Sequence, residues 1–271
     1  MPEPAKDEAT QRHAQAQKIA DEIALYASKV ERGMMRTAYL ARRIKELDDE
    51  TAIEVLDALC AGATLSRRGF HEILSDIIDP VILKEQVGDF MFSRIYHGAR
   101  RSGKQSILRF LSEARPARIQ DGPSEENMQF GLGDMPLGVR KSVARLNDRA
   151  LLDRAGFDQD PRVIGNLLTN PRTTREMVLK IASRRPNEAS VLEAIFKSKR
   201  WISDQTVKEA LVRNPYTPPR ISMGLLNLLL LQQLKDVVQD TGLHDEVREA
   251  ALEALRRKEK AQQKTYVLHQ G

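Results

Sequence analysis

A pattern of six residues recurs in this chain at a distance of 44 positions. In the first copy they are Asp160, Val163, Leu167, Asn170, Pro171 and Thr173, and in the second Asp204, Val207, Leu211, Asn214, Pro215 and Thr217. Weaker copies stand around 139–144 and 245–252. A unit of this length cannot bury its apolar residues alone, whereas stacked units bury a continuous core. The period therefore predicts stacked helical repeats over residues 137–258.

The repeated residues have predicted roles at helix ends. Asp160 is expected to be an N-cap, because its carboxylate can accept from the free N–H groups of the first helical turn. Asn170 is expected to end the same helix in the left-handed conformation. Thr173 is then expected to cap the next helix and to form a capping box with Glu176. The first three roles are predicted again for the residues 44 positions later.

Apolar residues outside the repeat also recur at steps of three and four, the period of an α-helix. Ile19, Ile23 and Tyr26 form one such stripe, and the pair Asp79-Pro80 has the sequence of a helix start. That helix is expected to run on to Ile95. Only 5% of the residues are aromatic, and no segment alternates as a strand does. The sequence predicts an all-α protein with about six helices in an N-terminal bundle over residues 1–116.

Two further segments complete the predicted domain organisation. Glycine, proline and acidic residues cluster in 117–136, which predicts a linker or long loop. Met128 and Phe130 are expected to pin part of this loop to a neighbouring domain. Residues 259–271 are predicted to be a flexible tail.

With two or three short helices in each 44-residue unit, residues 136–257 resemble bacterial HEAT-like proteins, the armadillo-type α-helical repeats. The resemblance implies a short α-solenoid after the N-terminal bundle. It also implies an extended surface for recognition, but no particular function, since such arrays serve many purposes.

Sequence motifs for catalysis are weak. The string from Gly98 to Gln105 follows P-loop spacing as far as Lys104, but a glutamine stands where the loop needs a hydroxyl group. Ser102 and Gln105 have instead the spacing of a capping box. The five histidines have no metal-ligand spacing, and the single cysteine, Cys60, lies in an apolar run. The sequence therefore predicts no enzyme activity, no cofactor, no metal site and no catalytic residues.

The basic residues supply the candidate binding surface. Lys and Arg exceed Asp and Glu by 43 to 38, which permits an acidic partner without requiring one. Several basic residues fall near predicted helix ends, where aligned ends would form a cationic edge. The candidate binding residues are Arg100, Arg101, Lys104, Arg184, Arg185, Lys197, Lys199, Arg200, Arg213 and Tyr216. Trp201 aligns with Phe157 across the repeat and is therefore predicted to be a packing residue.

From these features we predict a non-catalytic scaffold or adaptor of the bacterial cytoplasm that binds another protein through the repeat stack. No apolar run is long enough to span a membrane. The alternative is a nucleic-acid-binding module that uses the cationic edge. A third hypothesis, an enzyme such as a base-excision enzyme built on helical repeats, is disfavoured because no acid–base pair can be named. The sequence leaves the partner, the oligomeric state and any movement between the two helical regions open.

Overall fold

The computed structural model describes residues 4–30, 34–65, 67, 69–77, 80–111, 116–120, 122 and 125–268. Throughout these residues the regular structure is helical and no strand occurs, which confirms the predicted all-α class. Seven helices precede residue 116: α1 (Pro4–Lys29), α2 (Met34–Lys45), α3 (Asp49–Thr64), α4 (Phe70–Ile77), α5 (Pro80–Val87), α6 (Asp89–Arg101) and α7 (Gln105–Phe110).

Ten helices follow in the described residues after position 116. They are α8 (Glu125–Phe130), α9 (Leu137–Val143), α10 (Arg149–Ala155), α11 (Pro161–Thr169), α12 (Arg175–Ser183), α13 (Ala189–Lys197), α14 (Gln205–Val212), α15 (Pro219–Leu226), α16 (Leu231–Gln239) and α17 (Asp245–Leu268). The short α8 lies inside the segment 117–136 that the sequence assigns to a loop.

The chain forms two compact units whose limits differ from the predicted domain limits. The first unit comprises Met1–Glu113, Met223–Lys235 and Ala250–Gly271. The second comprises Ala114–Ser222 and Asp236–Glu249. Residues 223–235 and 250–258, which the sequence assigns to the repeat region, therefore belong to the same unit as the N-terminal helices.

Helix α3 is the centre of the first unit and packs against α1, α4, α6 and α7. Its side chains Leu56, Leu59 and Cys60 are buried, as is the predicted stripe residue Ile23 of α1. Asp48 caps α3 by accepting from the Thr51 backbone N–H at 2.9 Å. Apolar packing around one enclosed helix therefore forms this core.

Two predictions about helix ends in the first unit are wrong. A single helix was expected from Pro80 to Ile95, but α5 ends at Val87, because Gly88 takes a positive φ of 90° before α6 begins. Asp79, its expected cap, lies outside the described residues. Ser102 forms no capping box, since it ends α6 and its hydroxyl donates to the Gly98 carbonyl at 2.9 Å.

In the second unit the repeated aspartates cap their helices as predicted. Asp160 accepts from the Arg162 backbone N–H at 2.8 Å, and Asp204 accepts from that of Thr206 at 2.8 Å. The two repeated apolar positions that follow are fully buried in both copies, at Val163 and Leu167 and at the residues 44 positions later. Residues related by the repeat thus have matching burial.

The expected left-handed Asn170 is wrong, because its φ is −66° in extended backbone. Its buried side-chain amide instead donates to the carbonyls of Ala144 and Leu146, at 3.0 and 2.8 Å. These acceptors lie just after α9 and have no partner within that helix. The asparagine thus donates hydrogen bonds to the end of an earlier helix and does not end its own helix in the left-handed conformation.

The predicted cap at Thr173 is also wrong by one position. Helix α12 is capped by Thr174, whose hydroxyl accepts from the Met177 backbone N–H at 3.4 Å. Glu176 therefore does not stand at capping-box spacing from the cap. Thr173 is buried and donates its hydroxyl to the Leu167 carbonyl, as Thr217 does to Leu211 at 2.6 Å.

Candidate functional site

A groove of about 570 Å³ opens on the second unit beside α12. Helix α12 places Met177, Lys180 and Ile181 on one face, because residues three and four apart are neighbours on a helix. Arg184 and Arg185 follow directly after this helix. Phe157, just after α10, adds an aromatic ring. We call the groove lined by Phe157, Met177, Lys180, Ile181, Arg184 and Arg185 the cationic groove.

The apolar part of the cationic groove continues onto helix α8. Met177 and Ile181 are buried, whereas Phe157 is half-buried. The ring of Phe130 lies 5.7 Å from the Phe157 ring, measured between centroids. Phe130 itself is 49% exposed, and Met128 on the same helix is 63% exposed. Through this contact Phe130 packs against the residue that follows α10, and it extends the apolar surface beside the groove.

Arg184 is held by two contacts within the cationic groove. Its Nη1 donates to the Gly156 carbonyl at 2.8 Å, and its guanidinium carbon lies 5.5 Å from the Phe157 ring centroid. Burial lowers the pKa of Arg184, an effect opposed by the negative charges of Glu126 and Asp158. Arginine stays protonated even so, and the desolvated cation would gain from an anion in the groove.

The other two cations are oriented differently. Arg185 donates from Nη2 to the Arg213 carbonyl, and Lys180 extends into solvent. Within the described parts of the chain, none of Lys180, Arg184 and Arg185 makes a salt bridge. Two acidic side chains also line the groove, Glu126 and Asp153, and Asp153 lies 3.6 Å from Arg149. The groove therefore retains cationic donors that have no described carboxylate within salt-bridge distance.

Three of the other predicted binding residues are engaged by acidic side chains. Lys197 pairs with Glu193 at 2.8 Å, and Arg213 lies 3.7 Å from Glu209 and 3.6 Å from Asp240. In the first unit, Lys104 lies 2.8 Å from a Glu54 oxygen and 3.0 Å from an Asp57 oxygen. Their charges are thus largely compensated inside the chain.

Arg200 is bound to backbone carbonyls. It donates to Asn170 at 3.1 Å and to Thr173 at 3.3 Å, and its guanidinium carbon lies 4.4 Å from the Trp201 ring centroid. Trp201 is 7% exposed and donates its indole N–H to the Leu168 carbonyl at 2.9 Å. The tryptophan is therefore a packing residue, as its alignment with Phe157 predicted.

The remaining predicted residues lie apart from the groove. Tyr216 is half-buried, with its backbone N–H donating to the Asn214 side chain at 3.1 Å, and Lys199 is exposed. Arg100 and Arg101 are exposed at the end of α6 in the first unit. Of the ten predicted binding residues, only Arg184 and Arg185 line the cationic groove.

Sequence reasoning missed Lys180 and Phe157 as groove residues. Lys180 precedes Arg184 by four positions, a spacing that could have identified one cationic helix face. The approach of Phe157 to α12 depends on tertiary packing and has no local signal.

A polar cluster in the first unit surrounds Lys104. Burial alone would lower the pKa of Lys104, but hydrogen bonds to Glu54 and Asp57 raise it, so the amine stays protonated. Ser106 donates its hydroxyl to Asp57, and His13 lies 3.2 Å from Glu54. A protonated lysine cannot serve as the base that a nucleophilic serine needs. The contacts of Lys104 are those of a structural ion pair.

Other reactive groups give no organised centre in the residues that the structure describes. No group of three or more His, Cys, Asp or Glu side chains there has the arrangement of a metal site. Cys60 is buried, and burial raises the pKa of its thiol to about 12, so the thiol is protonated at neutral pH. No helix among those residues is long and apolar enough to cross a membrane.

Comparison with known proteins gives no assignment: no protein-family model matches the chain, and neither a curated protein nor a solved structure matches it.

Proposed function

We propose that this protein is a non-catalytic cytoplasmic adaptor that binds another protein through the surface of a short HEAT-like helical-repeat stack. The proposal is supported above all by the equivalent contacts that two asparagines 44 residues apart make with the end of an earlier helix. Asn214 donates to the Ala182 and Arg184 carbonyls at 2.8 and 3.0 Å, as Asn170 does to the carbonyls that follow α9.

In each case the asparagine at the end of one helix supplies donors to the end of an earlier helix. Each asparagine also accepts from a backbone N–H two residues later, that of Arg172 or Tyr216. Buried side chains whose donors and acceptors are paired give a fixed geometry. Such joints suit a rigid surface for recognition, because a preformed surface loses little entropy on binding.

Nucleic-acid binding is a second candidate function, and one observation supports it. The cationic groove combines three basic side chains with the half-buried ring of Phe157, and phosphate contacts with aromatic stacking are used for single-stranded nucleic acid. The exposed Met128 and Phe130 of the adjoining helix α8 favour a protein partner, because exposed large apolar side chains are typical of protein–protein interaction sites.

The two candidates are separated by affinity capture with the full chain from nuclease-treated extract of the producing cells. The adaptor proposal expects a protein at fixed stoichiometry whose capture survives nuclease. Nucleic-acid binding expects a complex that nuclease removes and whose affinity falls steeply with salt. Recovery of nucleic acid alone from untreated extract would overturn the adaptor proposal.

A further inference from the structure

We infer that the cationic groove binds a segment of the partner protein that carries a carboxylate and a large apolar side chain close together. This inference rests on the proposed adaptor function and adds the location of the binding site and the chemistry of the bound segment. The groove is part of the second unit alone, and each feature used below belongs to that unit.

Charge complementarity identifies the carboxylate. Arg140, Arg162 and Arg175 elsewhere in this unit each lie 2.7 Å from an Asp oxygen. In contrast, no described carboxylate lies within salt-bridge distance of Lys180 or Arg184 in the groove, although the charge of Glu126, which also lines it, acts on Arg184. An arriving carboxylate would form charge-assisted hydrogen bonds with these donors, which are stronger than bonds between neutral groups.

The guanidinium of Arg184 is positioned before any partner arrives. Its bond to the Gly156 carbonyl and its position near the Phe157 ring fix the side chain and leave other N–H donors for a ligand. A preformed donor group gives up less conformational entropy on binding than a mobile one.

The apolar surface beside the cations identifies the second feature of the segment. Phe157, half-buried in the groove, contacts Phe130, which is 49% exposed. Met128 on the same helix α8 is 63% exposed, so this helix presents two large apolar side chains to solvent next to the groove. Localised apolar surface is typical of an interaction site. A large apolar side chain of the partner would cover Phe130 and Phe157 while its carboxylate meets Lys180 and Arg184.

The test selects peptides with the full chain. A phage-displayed library of random dodecapeptides is panned against the immobilised protein, and an enriched peptide is labelled with fluorescein for anisotropy titration. We expect enriched peptides to carry Asp or Glu within four positions of Leu, Ile, Met, Phe or Trp. Enrichment of peptides that lack acidic residues, or no enrichment at all, would overturn the inference.

Two charge reversals locate the site of binding. Lys180→Glu is expected to weaken the labelled peptide by about tenfold, because it places a carboxylate beside the bound one. The matched control Lys197→Glu makes the same change in net charge outside the groove and should alter affinity less than twofold. Equal weakening by both substitutions would show attraction to overall charge and would contradict the inference.

One further variant, a competitor and the capture experiment separate the alternatives. Phe130→Ser is expected to weaken the peptide about threefold through its apolar side chain, and an unchanged affinity would remove Phe130 from the site. A single-stranded oligodeoxythymidylate of 20 nucleotides should not compete with the labelled peptide. Competition at a lower concentration than that of the unlabelled peptide would assign the groove to nucleic acid.

The capture experiment separates this inference from the adaptor function. If the Lys180→Glu variant still captures the partner protein from extract, the groove assignment fails while the adaptor function stands. If the wild-type chain captures no protein, the adaptor function itself fails.

Discussion

The two units of this protein are both helical with apolar interiors, but they differ in the uncharged polar side chains that they bury. Each unit also has an ion pair with a buried aspartate, Arg36 with Asp76 at 3.3 Å in the first and Arg140 with Asp158 at 2.7 Å in the second. In the second unit three buried asparagines, Asn170, Asn187 and Asn214, donate to backbone carbonyls. The described part of the first unit has no buried asparagine.

This difference indicates how each unit selects one packing arrangement. Apolar contacts are non-directional and tolerate small shifts of one helix against another. A buried amide tolerates no such shift, because a donor or acceptor that loses its partner costs about 1–3 kcal/mol. The repeated asparagines thus fix the register of short helices that apolar contacts alone would hold loosely.

Truncation of the first unit's core should give the largest loss of stability. Leu59→Ala is expected to lower the free energy of unfolding by about 3 kcal/mol, because the side chain is fully buried in α3 and leaves a cavity. Urea unfolding followed by circular dichroism measures the change. The control Leu25→Ala removes a side chain that is 56% exposed in the same unit, and should cost less than about 0.5 kcal/mol. Similar losses for both variants would show that α3 is not the centre of this core.

Removal of a repeated amide should come next and tests the comparison itself. Asn214→Ala is expected to cost about 2.5 kcal/mol, because it leaves the Ala182 and Arg184 carbonyls without their side-chain donor. The exposed Asn147→Ala is the control and should cost less than about 0.5 kcal/mol. Urea titrations of both variants give the two values. A cost for Asn214→Ala as small as that of the control would mean that apolar packing alone holds the second unit.

Sequence reasoning succeeded where the structure depends on nearby residues. Asp160 and Asp204 were identified as caps because a cap and its donor are separated by two or three positions. The partners of Asn170 lie 24 and 26 positions earlier, so the sequence indicated that the residue mattered but gave the wrong role. The assignment of Thr173 failed by one position because its neighbour Thr174 has the same capping chemistry.

The candidate site was predictable to a smaller extent. Arg184 and Arg185 stood out as a basic pair at a helix end, and both line the groove. Lys197 and Arg213 have the same composition signal, but each follows a glutamate by four positions and lies within salt-bridge distance of it. That spacing could have identified both as engaged cations from the sequence. The approach of Asp240 to Arg213 depends instead on tertiary packing and has no local signal.

A smaller effect should follow from the charge of a repeated cap. The hydrogen bond from Arg162 lowers the pKa of Asp160 to about 2, from an unfolded value near 4. A lowered folded-state pKa stabilises the protein above the unfolded value, and this contribution is lost as pH falls from about 4 to about 2. Asp160→Asn still caps but does not titrate, so the urea midpoint of the wild type should fall further over this range than that of the variant. Parallel pH profiles would contradict the assigned role of the carboxylate.

The smallest effect separates stability from recognition in the second unit. Lys180 is exposed and makes no salt bridge with a described carboxylate, so Lys180→Glu should change the free energy of unfolding by less than about 0.5 kcal/mol. The same substitution is expected to weaken the acidic peptide about tenfold. Buried positions such as Asn214 should show the reverse relation, because they hold the surface without touching the ligand. Urea titration of Lys180→Glu measures the change in the free energy of unfolding. A loss of stability near that of Asn214→Ala would make Lys180 a structural residue. Weaker peptide binding by this variant would then not show that the peptide contacts the groove.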